Sequence, residues 1–197
     1  QPTSVNNVET LCCAARILEK GGEWFSKIGT KDSTGTKLLS ISGDCEHPGI
    51  YEVEYGITIK KMLAMVGAED AQAVQVGGPS GRCLAPKDFG RGISFEDLPT
   101  GGSIIIFGKD RDLLECMRQF TEFFVEESCG WCVPCRVGTT LLLKKFEKVL
   151  EGHGTRKDLE ELEQIGKTIK TMSRCGLGQT AANPILTTLS GFADLYE

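Results

Sequence analysis

Histidine is scarce in this 197-residue chain, and positive charge is in deficit. The two histidines, His47 and His153, lie in Gly/Pro-rich turns with no Cys or Asp arranged beside them for catalysis, so both read as solvated. Lys and Arg number 22 against 27 Asp and Glu, a net charge of −5, which excludes a protein built around nucleic-acid phosphates. No apolar run approaches the ~20 residues that a membrane helix needs, and the densest, Gly101 to Gly108, has the length of a strand; direct membrane insertion is not expected. Repeats and low-complexity tracts are missing. So is a dinucleotide fingerprint: Gly77-Gly78-Pro79-Ser80-Gly81 opens no helix and reads as a turn. The first residues, Gln1-Pro2-Thr3-Ser4, resemble neither a signal peptide nor a natural start, so the chain is expected to be part of something longer.

Cysteine, in contrast, is plentiful. Nine is many for an intracellular domain, yet too dilute for a small disulfide scaffold. Cys12, Cys13, Cys45, Cys83 and Cys116 are scattered, whereas Cys129, Cys132 and Cys135 are crowded into seven residues.

Three kinds of pattern follow one another. Residues 1–35 read as a loop, a helix and a linker; Asn6 or Asn7 can cap the helix, which carries Val8, Leu11, Ala15 and Leu18 before Gly21-Gly22. Residues 36–109 alternate like strands. Leu38–Ser42 and Ile50–Tyr55 form an expected hairpin, Thr58 caps a short helix, and Ala73–Val76 and Ser103–Phe107 complete a small α+β unit of β-grasp type. Residues 110–197 are helical: a first helix capped by Asp110, a second from Pro134 to Gly152, a third opened by Thr155 or Asp158, and a fourth from about Thr180 through Phe192. Short connections predict an antiparallel four-helix bundle.

The Cys-x2-Cys-x2-Cys spacing lets one tight turn supply three corners of an iron–sulfur cube, with Gly130 and Pro134 suited to the bends. The fourth corner comes from topology. Helix two leads away from the triplet and helix three returns by a similar rise, roughly 27 Å for 18 residues. That brings Cys175, with 39 residues between it and Cys135, back to the same pole. Helix N-termini there favour negative charge, Arg136 and Arg174 can add to the field, and Trp131 and Leu177 are candidates for excluding water. A four-cysteine zinc site remains open on the residues alone, although it usually uses two separated Cys-x2-Cys pairs. A cluster with three cysteine ligands and a pair of disulfides also remain.

The run Glu127-Ser128-Cys129-Gly130-Trp131-Cys132-Val133-Pro134-Cys135-Arg136, with Cys175-Gly176-Leu177-Gly178 after it and Pro2-Thr3-Ser4-Val5-Asn6-Asn7-Val8-Glu9-Thr10 before it, resembles the NADH-oxidising flavoprotein subunit of respiratory complex I. The diaphorase subunits of NAD-reducing hydrogenases and NAD-dependent formate dehydrogenases belong to the same family, and Ser40–Glu52 is closer to that branch. The resemblance covers essentially the whole chain. It implies the C-terminal part of such a subunit: the tail of an FMN domain (1–35), a ubiquitin-like, SLBB-type β-grasp domain (36–109) and a four-helix [4Fe–4S] domain (110–197).

It further implies that NADH reduces FMN by hydride transfer and that FMN releases single electrons to a cluster on Cys129, Cys132, Cys135 and Cys175. Val5, Asn6, Asn7 and Thr10 match the segment that lines the flavin pocket, where Asn amides can bond a flavin edge or phosphate. Without the family, Asn6 or Asn7 is simply a helix cap. The family's glycine-rich FMN and NAD(H) motifs lie upstream of this chain, so the chain alone is not expected to oxidise NADH. The implied partners are the upstream FMN/NADH domain and iron–sulfur subunits of one complex, in the cytoplasm or on the cytoplasmic face of a membrane.

Overall fold

In a computed structural model, residues 2–196 are described; Gln1 and Glu197, the outer ends of the expected first and last segments, lie outside them. A mixed five-stranded sheet carries helices on both faces. Strands β1 (Thr36–Gly43) and β2 (Gly49–Glu54) form the expected antiparallel hairpin. β1 also runs parallel to β5 (Ser103–Phe107), β5 is antiparallel to β3 (Ala73–Val76), and β4 (Arg82–Leu84) closes the far edge. The order is β2-β1-β5-β3-β4. The sequence pattern had no place for β4. At three residues it is too short to show a period of two, and it is held as a strand by pairing with β3 across the Gly77–Gly81 turn.

Alternation along the strands builds two cores back to back. Val74 and Val76, Ile104 and Ile106, and Leu84 face one side, where the short helix α3 (Ile59–Met65) packs Ile59, Met62 and Leu63 against them. Thr58 caps α3 by accepting the Lys61 N–H at 3.3 Å. Ala73, Cys83 and Phe107 point the other way, into a core shared with the C-terminal helices. Both faces of β3 are therefore covered, and all four of its residues are buried.

The C-terminal helices are α4 (Leu113–Glu126), α5 (Val133–Lys148), α6 (Arg156–Met172), α7 (Gly176–Thr180) and α8 (Asn183–Gly191). Helix α5 packs on α4 and α6, while α8 packs on α4, α6 and β4. Leu113, Met117, Phe124, Leu142, Phe146, Leu162, Ile169 and Ile185 fill the space between them. Burying side chains of this size is worth about 1.5–3 kcal/mol each.

Two details differ from the sequence expectation, and a third decides between two candidates it offered. Asp112, not Asp110, caps α4, accepting the Glu115 N–H at 3.0 Å. Of the two candidates for the start of α6, Thr155 is the cap, and Asp158 answers it in a reciprocal capping box. The fourth helix, expected from about Thr180, begins at Asn183, where Pro184 in its first turn has no N–H to continue an earlier ladder, and a separate short helix, α7, precedes it where the sequence read as a turn.

At the other end of the chain, α1 (Val8–Lys20) has no buried residue and exposes Val8, Leu11 and Leu18. It is tethered to β1 by Glu9, whose carboxylate pairs with the largely buried Lys37 and accepts the Leu38 N–H at 2.7 Å. That contact holds the Glu9 carboxyl below its ordinary value, with burial opposing the Lys37 and Leu38 hydrogen bonds. Among the described residues, no helix is long and apolar enough to cross a membrane.

Candidate metal centre

Helix α4 ends at Glu126, and the chain then turns through Ser128-Cys129-Gly130-Trp131 into α5. The turn needs Gly130, which sits at φ +74°, a conformation that a side chain resists. Arg136 locks it from the next helix by donating to the Gly130 carbonyl at 2.6 Å. Cys132 occupies the N-cap of α5, Pro134 lies in its first turn, and Cys135 follows, buried to all but 5% of its surface. The helix start therefore delivers two thiols to one side of the loop.

The second segment arrives from α6. Ser173 ends that helix, Cys175 is the N-cap of α7, and Gly178 lies one turn further on. Gly178 is pressed against both Ser173 and Cys135; a Cβ there would lie 2.5 Å from the Ser173 Cβ and 3.2 Å from the Cys135 Cβ. Gln179 holds the segment by donating from Nε2 to the Ser173 carbonyl at 3.1 Å. Arg174 places its guanidinium 5.7 Å from the Trp131 ring centroid, across the gap between the two loops.

The decisive contact is made by the Cys132 sulfur. It faces the backbone N–H of Arg174 first, then that of Cys135, and these donors hold its thiol below the ordinary value against a desolvation that would raise it. A thiolate is the form that binds metal, so this environment suits metal binding. Cys83 is the contrast. Buried between sheet and helices, it is pushed up to about 12, mainly by desolvation and further by Cys116.

Residues on both sides of Cys175 thus meet the triplet loop, and all nine cysteines are free thiols. Cys129 and Cys175 are exposed, and among the described residues no three Cys, His, Asp or Glu side chains converge closely enough to ligate a single ion. Trp131 does not shield the site as the sequence allowed, being 74% exposed, whereas Leu177 packs partly into the helical core. Arg136 is engaged by the loop carbonyl it braces. Ser128 and Ser173 were not singled out from sequence. Ser128 Oγ lies 3.3 Å from the Cys135 sulfur, and the sole sequence hint was a small hydroxyl close to each cysteine segment.

The expected flavin residues sit apart, before and on α1. Val5, Asn6 and Thr10 are exposed, while Asn7 caps the helix by accepting the Glu9 N–H at 2.8 Å. His47 and His153 are both exposed, as expected.

Residues 115–197 match the family model of the NADH-ubiquinone oxidoreductase-F iron-sulfur binding region. The chain is 53% identical over its whole length to the NAD-reducing hydrogenase HoxS subunit alpha of Cupriavidus necator, covering 33% of that protein. The chain is thus similar, over its whole length, to part of such a subunit. It is 38% identical to the NADP-reducing hydrogenase subunit HndC of Solidesulfovibrio fructosivorans, covering 42% of it, and 34% identical to an NADH-quinone oxidoreductase subunit of Mycobacterium tuberculosis, covering 46%. It spans less than half the length of each of these relatives. The fold agrees with a solved NAD+-reducing [NiFe]-hydrogenase chain at a TM-score of 0.93 and 42% identity, over all of this chain and 35% of that one. Identity is thus higher to these hydrogenase relatives than to this quinone oxidoreductase one.

Proposed function

We propose that this chain is the electron-relay part of an NADH:acceptor oxidoreductase. Single electrons pass from an NADH-reduced FMN through a [4Fe–4S] cluster on Cys129, Cys132, Cys135 and Cys175 to further iron–sulfur partners. The observation that carries this reading is the close approach of Gly178 to Cys135, with Arg174 over the Trp131 ring, which ties the segment of Cys175 to the triplet. The donor set fits the group: four cysteines on two loops, none in a disulfide, one already biased towards the thiolate. A bound [4Fe–4S] cluster supplies one-electron transfer without proton chemistry of its own.

The protein's own contribution is to hold charge and position. The α5 N-terminus and the Arg174 and Cys135 amides offset negative charge on the sulfurs. Arg136 fixes the loop that carries Cys129, and Gly178 lets the Cys175 segment approach α5 closely.

The remaining assignments follow the same reading. Residues 36–109 form an SLBB-type β-grasp domain, supported by the 2-1-5-3-4 strand order with α3 on one face. Residues 110–197 form a four-helix iron–sulfur domain, supported by the closed circuit of α4, α5, α6 and α8. Residues 1–35 are the tail of an FMN domain, in which Val5, Asn6, Asn7 and Thr10 face the flavin. The upstream FMN/NADH domain and iron–sulfur subunits are its partners, in the cytoplasm or at its membrane face. Metal and acid-labile sulfide analysis tests the centre: about four irons and four sulfides per chain are expected. One zinc without sulfide would refute the relay and leave a zinc-stabilised module.

A further inference from the structure

Two hydroxyls stand against the cysteine sulfurs with little else to do. Ser128 Oγ is 3.3 Å from the Cys135 sulfur and also receives the Gly130 N–H at 3.4 Å, so its own hydrogen is free for the sulfur. Ser173 is 95% buried, and its Oγ has no hydrogen-bond partner among the described residues. Its backbone is fully engaged, the N–H with the Ile169 carbonyl and the carbonyl with Gln179. The side chain is wedged beside Gly178 and Cys135. A buried hydroxyl without a partner is destabilising, and valine-like or alanine-like packing would fill the space without that cost. Its neighbour is the Cys132 sulfur, an acceptor that becomes strong once it is an anionic ligand.

We propose that Ser128 and Ser173 are potential-setting residues: each donates its hydroxyl hydrogen to a ligand sulfur, Ser128 to Cys135 and Ser173 to Cys132, and stabilises the cluster's more negative, reduced state. The proposal rests on the cluster reading above. The step concerned is a one-electron reduction in which no bond forms or breaks; the added charge is shared with the sulfurs, and a donor aimed at a sulfur favours the reduced side. Both residues act through the ligands, so their removal is expected to move the potential without emptying the site.

The test is a dithionite titration of the full chain with redox mediators, followed by electron paramagnetic resonance, which needs neither NADH nor flavin. Ser128→Ala and Ser173→Ala are each expected to shift the reduced-to-oxidised ratio about tenfold towards oxidised at a fixed potential, about 59 mV lower for one electron. Ser128→Thr, which keeps the hydroxyl, is expected to restore the wild-type value. Iron and sulfide contents are measured in parallel. A full cluster with an unchanged potential in both alanine variants would overturn the proposal. Loss of the cluster from Ser173→Ala would overturn the tuning role of Ser173 in favour of assembly, and Ser128→Ala then decides the other half. Wild-type chain that takes up zinc and no sulfide would instead overturn the site reading itself.

Discussion

Gly178→Ala is a direct perturbation of the proposed centre. The new methyl would lie 2.5 Å from the Ser173 Cβ and 3.2 Å from the Cys135 Cβ, so something must shift. The obstacles are a buried serine and a buried cysteine of the proposed ligand set, neither of them the free end of a flexible chain. Overpacking of this kind costs about 1–3 kcal/mol. For a chain of this length, each kcal/mol lowers Tm by about 2–4 °C, so a fall of about 2–12 °C is expected. The cheapest relaxation moves α7 off α5 and carries Cys175 away from the triplet, so iron per chain should fall after reconstitution. Gly176→Ala is the paired control: it neighbours Cys175 in the same helix, yet a Cβ there meets nothing within 4 Å. It should keep full iron and a wild-type Tm. Thermal unfolding by circular dichroism and iron analysis read both effects. Equal Tm and iron in Gly178→Ala and wild type, or equal damage in Gly176→Ala, would refute the argument that close approach of the two segments positions the fourth cysteine.

The other predictions are simpler. Cys175→Ser should abolish the four-iron content while Cys45→Ser leaves it intact; equal loss from both would remove Cys175 from the ligand set. Asp112→Ala should cost about 1 kcal/mol as a lost helix cap and Asp110→Ala close to nothing, read by chemical denaturation. Phe146→Ala, deep in the helical core, should cost about 3–5 kcal/mol by the same method. Glu96, lowered from its ordinary 4.5 to about 2 by hydrogen bonds from Ser33 first and then Thr30, should add stability that is complete above pH 4.5 and lost as pH falls towards 2. Glu96→Gln should therefore flatten the Tm profile across that window, and an unchanged slope would show that the bond contributes nothing.

Most of the architecture was legible because its signals are local. Period-two alternation marked β1, β2, β3 and β5, and three- and four-residue apolar steps marked α4, α5 and α6. Misreadings arose where a local signal was ambiguous. Asp110 and Asp112 are equally good caps in composition, and the arginine between them gives no clue to which begins the helix. Gly176-Leu177-Gly178 has turn composition but is helical and packs on α5, so a short separate helix precedes the last one where composition suggests only a turn. The centre was legible as cysteines and spacing, since ligand type needs no coordinates. The hydroxyls and amides facing the sulfurs were not, because Ser173 and Arg174 reach Cys132 only through the return of α6.

The sheet has a mechanical consequence. Ile104 and Ile106 serve one core while Ile105 and Phe107 serve the other, along five residues of one strand. Neither half of the chain owns β5, so a disturbance on the α3 side has no soft joint at which to stop. Heat should therefore melt residues 36–196 in one transition seen alike by far-ultraviolet dichroism and by absorbance of the reconstituted proposed centre, and the cysteine pole inherits the stiffness of a strand more than 20 residues upstream of Cys129.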